Sequence, residues 1–126
     1  MRISVLLLCF AFLMGCSRPP AMTAVHGKTV EYWLGALQDK DARTRRKAAE
    51  VLGNVGAIDP QVIPALTAAM KDRDPKVRAE VVLSLLKIGP PAQEAVAALT
   101  EARNDRDATV RANAAKALDR IAGGRN

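Results

Sequence analysis

Asp39-Lys40-Asp41-Ala42-Arg43-Thr44-Arg45, Asp72-Arg73-Asp74-Pro75-Lys76-Val77-Arg78 and Asp105-Arg106-Asp107-Ala108-Thr109-Val110-Arg111 lie one above another without a gap. Each begins 33 residues after the last, and the match runs on into the residues that follow. A fixed period of this length belongs to stacked repeat proteins, in which one unit cannot bury its apolar face alone and neighbours bury it together. The expectation is an all-α chain, an α-solenoid of three two-helix units.

Periodicity within each unit places the helices. The first helices are expected at roughly 29–39, 61–71 and 93–103, the second at roughly 42–55, 75–88 and 108–121. Val30/Ile63/Val96 and Trp33/Leu66/Leu99 form apolar columns in the first series. Thr44/Val77/Val110, Ala48/Val81/Ala114, Leu52/Leu85/Leu118 and Val55/Ile88/Ile121 do so in the second. Spacings of four, four and three keep one stripe on one helical face. Asp41, Asp74 and Asp107 stand where an N-cap accepts from the first free backbone N–H groups, and Pro75 follows where its missing donor costs nothing. Gly56 and Gly89 end second helices, where a positive φ is wanted, and Gly123-Gly124 closes the third unit. Pro60, Pro64, Pro90 and Pro91 stop the chain from continuing as one helix.

Composition agrees. Apolar residues make up 49% of the 126 but aromatics only 3%, so the core is built from Ala, Val, Leu and Ile. Helices packed through small side chains fit that better than a β-sandwich would.

The first residues follow a different logic. Met1-Arg2 is a short positive start and Ile3 to Met14 is almost wholly apolar. About a dozen residues is too short for a membrane-spanning helix, which needs roughly 20, and suits the apolar centre of a secretory signal. The stretch Leu13-Met14-Gly15-Cys16 resembles the bacterial lipobox, which implies cleavage before Cys16 and lipid on its sulfur. The expected organisation is a signal over 1–15, a lipidated Cys16 and tether over 16–28, repeats over 29–122 (about 29–56, 61–89 and 93–122) and a tail over 123–126. Pro19 and Pro20 begin that tether. Cys9 would leave with the signal, so no thiol would remain for a disulfide.

The chain carries 19 basic and 13 acidic side chains. Loss of Arg2 with the signal would leave 18 against 13, a charge of +5 that suits an anionic lipid surface. Nucleic acid is the other usual partner of such a charge. Export and only Tyr32 and Trp33 for stacking argue against it, and no nucleic acid is expected. Ser17 follows Cys16, so the Asp that retains many enterobacterial lipoproteins in the inner membrane is absent; under that rule the outer membrane is favoured.

The repeats resemble bacterial short HEAT-like repeats, the type named after phycobilisome lyases. The D-x-D-P-x-V-R-x-x-A pattern is closest in the second unit, with Val81 or Val82 in place of the usual Ala. Gly27-Lys28-Thr29-Val30-Glu31-Tyr32-Trp33-Leu34 also resembles the entry segment of exported bacterial HEAT proteins. The resemblance implies scaffolding or protein–protein interaction. It also implies that Arg45, Arg78 and Arg111 pair with turn aspartates Asp39, Asp72 or Asp105 in a ladder between units. Such pairs are worth little if exposed.

Catalytic and metal chemistry find few candidates. Gly27-Lys28-Thr29 matches the end of a phosphate-binding loop, but the earlier glycine position holds Met22 and no strand leads in. His26 is the only histidine and has no Cys or His companion, so no metal site, cofactor or acyl-transfer constellation is expected. Carboxylate pairs such as Asp39/Asp41 recur in every turn, which marks them as scaffold. The basic run Arg43, Arg45, Arg46 and Lys47 reads first as a solvated helix start and second as a surface for an acidic partner or lipid headgroups.

One column breaks the repeat. In Glu50/Leu83/Lys116, position 83 lies far around the helix from the buried stripe. Leu83 is therefore expected to face solvent, on the side that the HEAT resemblance implies is concave, flanked by Leu86 and ringed by Lys87, Glu80, Lys47, Arg120 and Asn113. Leu83, Leu86, Lys87, Lys47 and Arg120 are the candidate partner-binding residues, and Cys16 the lipid-attachment residue. The alternative is that Leu86 packs on a neighbouring unit and Leu83 is a lone exposed Leu, which is common. Three functional readings remain: a lipid-anchored scaffold binding another envelope protein, a chromophore-lyase-like subunit, and a nucleic-acid-binding HEAT protein.

Overall fold

The computed structural model describes residues 26–123. Cys16, the signal segment, most of the tether and the last three residues of the tail lie outside the described residues. Six α-helices follow one another: α1 (Val30–Ala36), α2 (Ala42–Val55), α3 (Val62–Ala69), α4 (Pro75–Ile88), α5 (Val96–Ala102) and α6 (Ala108–Ala122). Two 3₁₀ turns, Gly56–Ile58 and Pro90–Ala95, connect the units. The second helices α2, α4 and α6 stack as one layer, and each carries its own first helix on the other side.

The second helices α2, α4 and α6 start at the residues that the sequence places first in them. Asp41 accepts from the Arg43 N–H at 2.9 Å, Asp74 from Lys76 at 2.7 Å, and Asp107 from Thr109 at 2.8 Å and Val110 at 3.0 Å. Thr29 caps α1 through the Tyr32 N–H at 3.3 Å. The first helices are shorter than the periodicity predicts. Their ends tighten into i→i+3 bonds: Asp39 N–H reaches the Ala36 carbonyl, Asp72 that of Ala69 and Asp105 that of Ala102. In the third unit Pro90–Ala95 takes the 3₁₀ form, with Ala92 at ψ 33°, so α5 starts three residues late.

Gly56 and Gly89 have φ 69° and 73°, as their positions require. Their ψ values of −147° and −140° belong to an extended mirror conformation rather than to the left-handed helical one. That region is open essentially to glycine alone. Gly123 differs: its φ of −72° is right-handed, and Gly124 lies outside the described residues.

Most of the expected columns lie in the core, which also takes in Ala49, Val51, Val62 and Val82. Trp33, Leu66, Leu99, Ala48, Val81, Ala114, Leu52, Leu85, Val77, Val110 and Ile121 are buried in one continuous cluster. Thr44, Ile88, Val96 and Leu118 are only half-buried. Between α2 and α4 the packing is closest at Gly53. A Cβ there would stand 2.6 Å from the Ser84 Cβ and Oγ, and Ser84 itself donates to the Ala49 carbonyl at 2.8 Å. Overpacking of this order costs about 1–3 kcal/mol and Ala offers roughly 1 kcal/mol over Gly in a helix, so Gly53→Ala should destabilise by up to about 2 kcal/mol net. Thermal unfolding checks this; a variant as stable as wild type would show that α2 and α4 can part at Gly53 without cost.

Candidate interaction surface and inter-repeat ladder

Two features of the second-helix layer could carry function: the ladder along the turns and the groove over α4.

The ladder forms because the turn carries its Asp two residues before the N-cap and the helix carries its Arg four residues after the cap. Arg45 donates from Nε and Nη2 to both carboxylate oxygens of Asp72, at 2.7 and 2.9 Å. Its Nη1 donates to the carbonyls of Asp39 and Lys40 at 2.9 and 3.2 Å. Arg78 repeats the arrangement with Asp105 at 2.8 Å twice, and with the carbonyls of Asp72 and Arg73. Each Arg thus ties its own turn to the next unit's turn. The condition under which such a pair would be weak is not met: Arg45 is 5% exposed and Arg78 8%, because the following unit covers them. The Asp72 carboxyl is pushed up by burial. The Arg45 hydrogen bonds, the Asp74 N–H and the charges of Arg45 and Arg73 more than offset that, leaving it below its ordinary value. Asp105 is likewise lowered, chiefly by the Arg78 hydrogen bonds. Arg111 makes the same carbonyl contacts, to Asp105 at 2.8 Å and Arg106 at 3.0 Å, and meets no carboxylate among the described residues.

The groove lies across the starts of α4 and α6, with a volume of about 360 Å³. Pro75, Ala79 and Leu83 supply apolar lining, and Arg46, Lys76, Glu80 and Asn113 supply polar groups. Arg46 and Glu80 approach to 3.5 Å, and Asn113 Nδ2 donates to the Ala79 carbonyl at 3.5 Å. Leu83 is half-buried in this groove rather than freely exposed, because neighbouring helices flank α4 on both sides. Leu86 is half-buried against the core, so it packs on the scaffold instead of flanking an exposed spot. Lys47, Lys87 and Arg120 are exposed, but none of them lines the groove. Lys47 donates to Glu50 at 3.1 Å within α2, and that hydrogen bond holds the Glu50 carboxyl below its ordinary range. Arg120 lies over Gly89, where an added Cβ would meet its Nε at 2.9 Å.

Sequence reasoning missed Arg46, Lys76 and Ala79 as groove residues and Ile58 as an apolar residue. Ile58 is 80% exposed in the turn after α2. The groove residues are visible only once α2, α4 and α6 are set side by side. Ile58 could have been found, since it is the one large apolar residue in the Gly56–Pro60 turn. No group of His, Cys, Asp or Glu among the described residues is arranged to hold a metal, and no described helix is long and apolar enough to cross a membrane.

HEAT repeats match residues 29–122, which span all six helices. The chain belongs to the HEAT-repeat family. No curated protein matches it. The crystal structure of an engineered protein, a target of the Northeast Structural Genomics Consortium, is similar at a TM-score of 0.61 and 24% identity. The match covers 75% of this chain and 46% of that protein, and it speaks for the solenoid fold alone. An array of HEAT repeats is the architecture of an interaction scaffold, and the groove over α4 is a partly apolar cleft between its helices.

Proposed function

We propose that this HEAT solenoid is a lipid-anchored protein of the bacterial envelope, held through Cys16, that captures a segment of another envelope protein in the groove over α4. The observation that carries the reading is Leu83. Its repeat counterparts are Glu50 and Lys116, so the fold does not require an apolar residue in that column, yet here a Leu lines a cleft rimmed by charge. Apolar anchors set in desolvated clefts with polar rims are where binding energy concentrates. The Leu13-Met14-Gly15-Cys16 motif supports the anchoring half of the proposal and the HEAT family supports the binding half.

Leu83→Glu tests the groove. Placed in the cleft, the new carboxylate stays hydrated in the free protein and has to be desolvated against an apolar segment on docking. Helix content and melting temperature should stay near wild type, while an envelope protein that co-purifies with wild type from solubilised membranes should be lost. Lys47→Glu, outside the groove, should retain it. A folded Leu83→Glu protein that captures the same partner as well as wild type would move the binding surface elsewhere. Cys16→Ser tests the anchor: it should abolish incorporation of labelled fatty acid. A mature wild-type protein without lipid would sink that half.

A further inference from the structure

Among the described residues the ladder is open at both ends, and the two open ends are complementary. At the trailing end, the guanidinium of Arg111 is held through Nη1 by the carbonyls of Asp105 and Arg106, as Arg45 and Arg78 are held by theirs. In the inner units that grip aims Nε and Nη2 at both oxygens of the next turn's aspartate. In Arg111 the same pair of donors points to solvent, with no carboxylate among the described residues. At the leading end, Asp39 accepts the Asp41 N–H at 2.8 Å, as Asp72 and Asp105 accept those of Asp74 and Asp107. Asp72 and Asp105 are each clamped by an Arg of the unit before; among the described residues no guanidinium bonds the Asp39 carboxylate.

The outer side of α6 agrees with this. Ala115 is exposed, whereas Ala49 and Val82 in the same column are fully buried by the unit that follows them. Ala112 is exposed, whereas its counterpart Ala79 is half-buried and its carbonyl accepts from Asn113. The exposed side of α6 thus keeps the small side chains and the Arg fork of an inner contact.

We propose that a second copy of this chain docks head-to-tail on α6, with Arg111 of one copy clamping Asp39 of the next. The occupant follows from charge and from repetition: the turn that Arg111 is shaped to grip is an Asp-x-Asp turn, and the chain presents one at its own leading end. The contact is heterologous, so it builds open chains rather than closed dimers. It is also partial. Val51, on the side of α2 that corresponds to the Ser84 side of α4, is already fully buried, so the incoming copy meets the turn end of that face and not its full length. The association is therefore weak and salt-sensitive, and it grows with local concentration. It does not use the groove over α4 and stands or falls independently of it.

Sedimentation velocity of the full chain, dispersed in excess nonionic detergent, tests the proposal from micromolar to near-millimolar protein. Wild type should show a weight-average sedimentation coefficient that climbs with concentration. Arg111→Asp and Asp39→Arg should each hold it at the monomer value, since each sets like charges against one another. The double variant Arg111→Asp/Asp39→Arg should restore the climb with the charges exchanged. Both residues are exposed, and matching far-ultraviolet spectra would show that the variants fold. Ala112→Lys, at the turn end of α6 and outside both turns, should block association on its own. Wild type that stays monomeric overturns the proposal. So does association that persists in the single variants, which would mark shared detergent micelles, or a double variant that fails to recover.

Discussion

Asp72→Ala should cost about 3–5 kcal/mol of unfolding free energy, the range for removing one partner of a buried ion pair. The substitution deletes few atoms. Its cost comes from Arg45, which would keep its charge at 5% exposure with two donors left empty. It also removes the oxygen that accepts the Asp74 N–H, loosening the start of α4. Asp39→Ala removes the same residue type from the same turn position, but Asp39 is exposed and clamps no Arg; its loss should stay below about 1 kcal/mol, as for a single turn hydrogen bond. Replacing both partners, as in Arg45→Met with Asp72→Leu, should recover most of the loss, because two apolar side chains carry no stranded charge. Denaturant unfolding of the three variants decides the matter. Equal losses at positions 39 and 72 would show that the ladder is decoration.

The same pair gives the protein an acid sensitivity with a defined sign. Asp72 and Asp105 are lowered in the folded chain relative to their unfolded values, so they bind protons less readily when folded. Their contribution is complete above the ordinary carboxylate range and is lost as pH falls through about 4 and below, towards the lowered folded values. Asp72→Ala should accordingly lose less stability than wild type over that acid interval, although it starts from a lower value.

The ladder also shows what a sequence exposes and what it hides. The 33-residue period was legible because Asp, Asp and Arg recur at fixed offsets, and each has a local job that composition cannot disguise: turn, cap and clamp. Their burial was not legible. A helical wheel divides one isolated helix into a buried stripe and a solvent face, but α4 is flanked by α2 and α6 as well as by α3. Residues that the wheel places towards solvent, Leu83 in the groove and Leu86 against the core, therefore lose exposure to neighbours that lie 33 residues away. Arg45 is hidden for the same reason, by the turn of the next unit. The shortness of α1 and α3 was beyond periodicity too, since the apolar pattern runs on while the backbone tightens to 3₁₀.

Leu85→Ala should destabilise the chain by about 2–5 kcal/mol, the range for truncating a fully buried Leu where the surroundings collapse only in part. Leu85 is 0% exposed in the middle unit. That unit is the one flanked on both sides, so a cavity there loosens the contacts of α4 with α2 and with α6 together. The loss is a large share of the roughly 5–15 kcal/mol that holds a small domain folded. Leu118 occupies the same column in the third unit but is half-buried, with no following helix among the described residues to pack on it. Leu118→Ala should therefore cost clearly less than Leu85→Ala. Lys116→Ala, on the exposed side of α6, should stay within about 0.5 kcal/mol of wild type. The ordering Leu85, Leu118, Lys116 tests the solenoid itself, because an isolated two-helix unit would make the two leucines equivalent. Equal losses at 85 and 118 in denaturant unfolding would mean that the units are stabilised one by one and that stacking adds little.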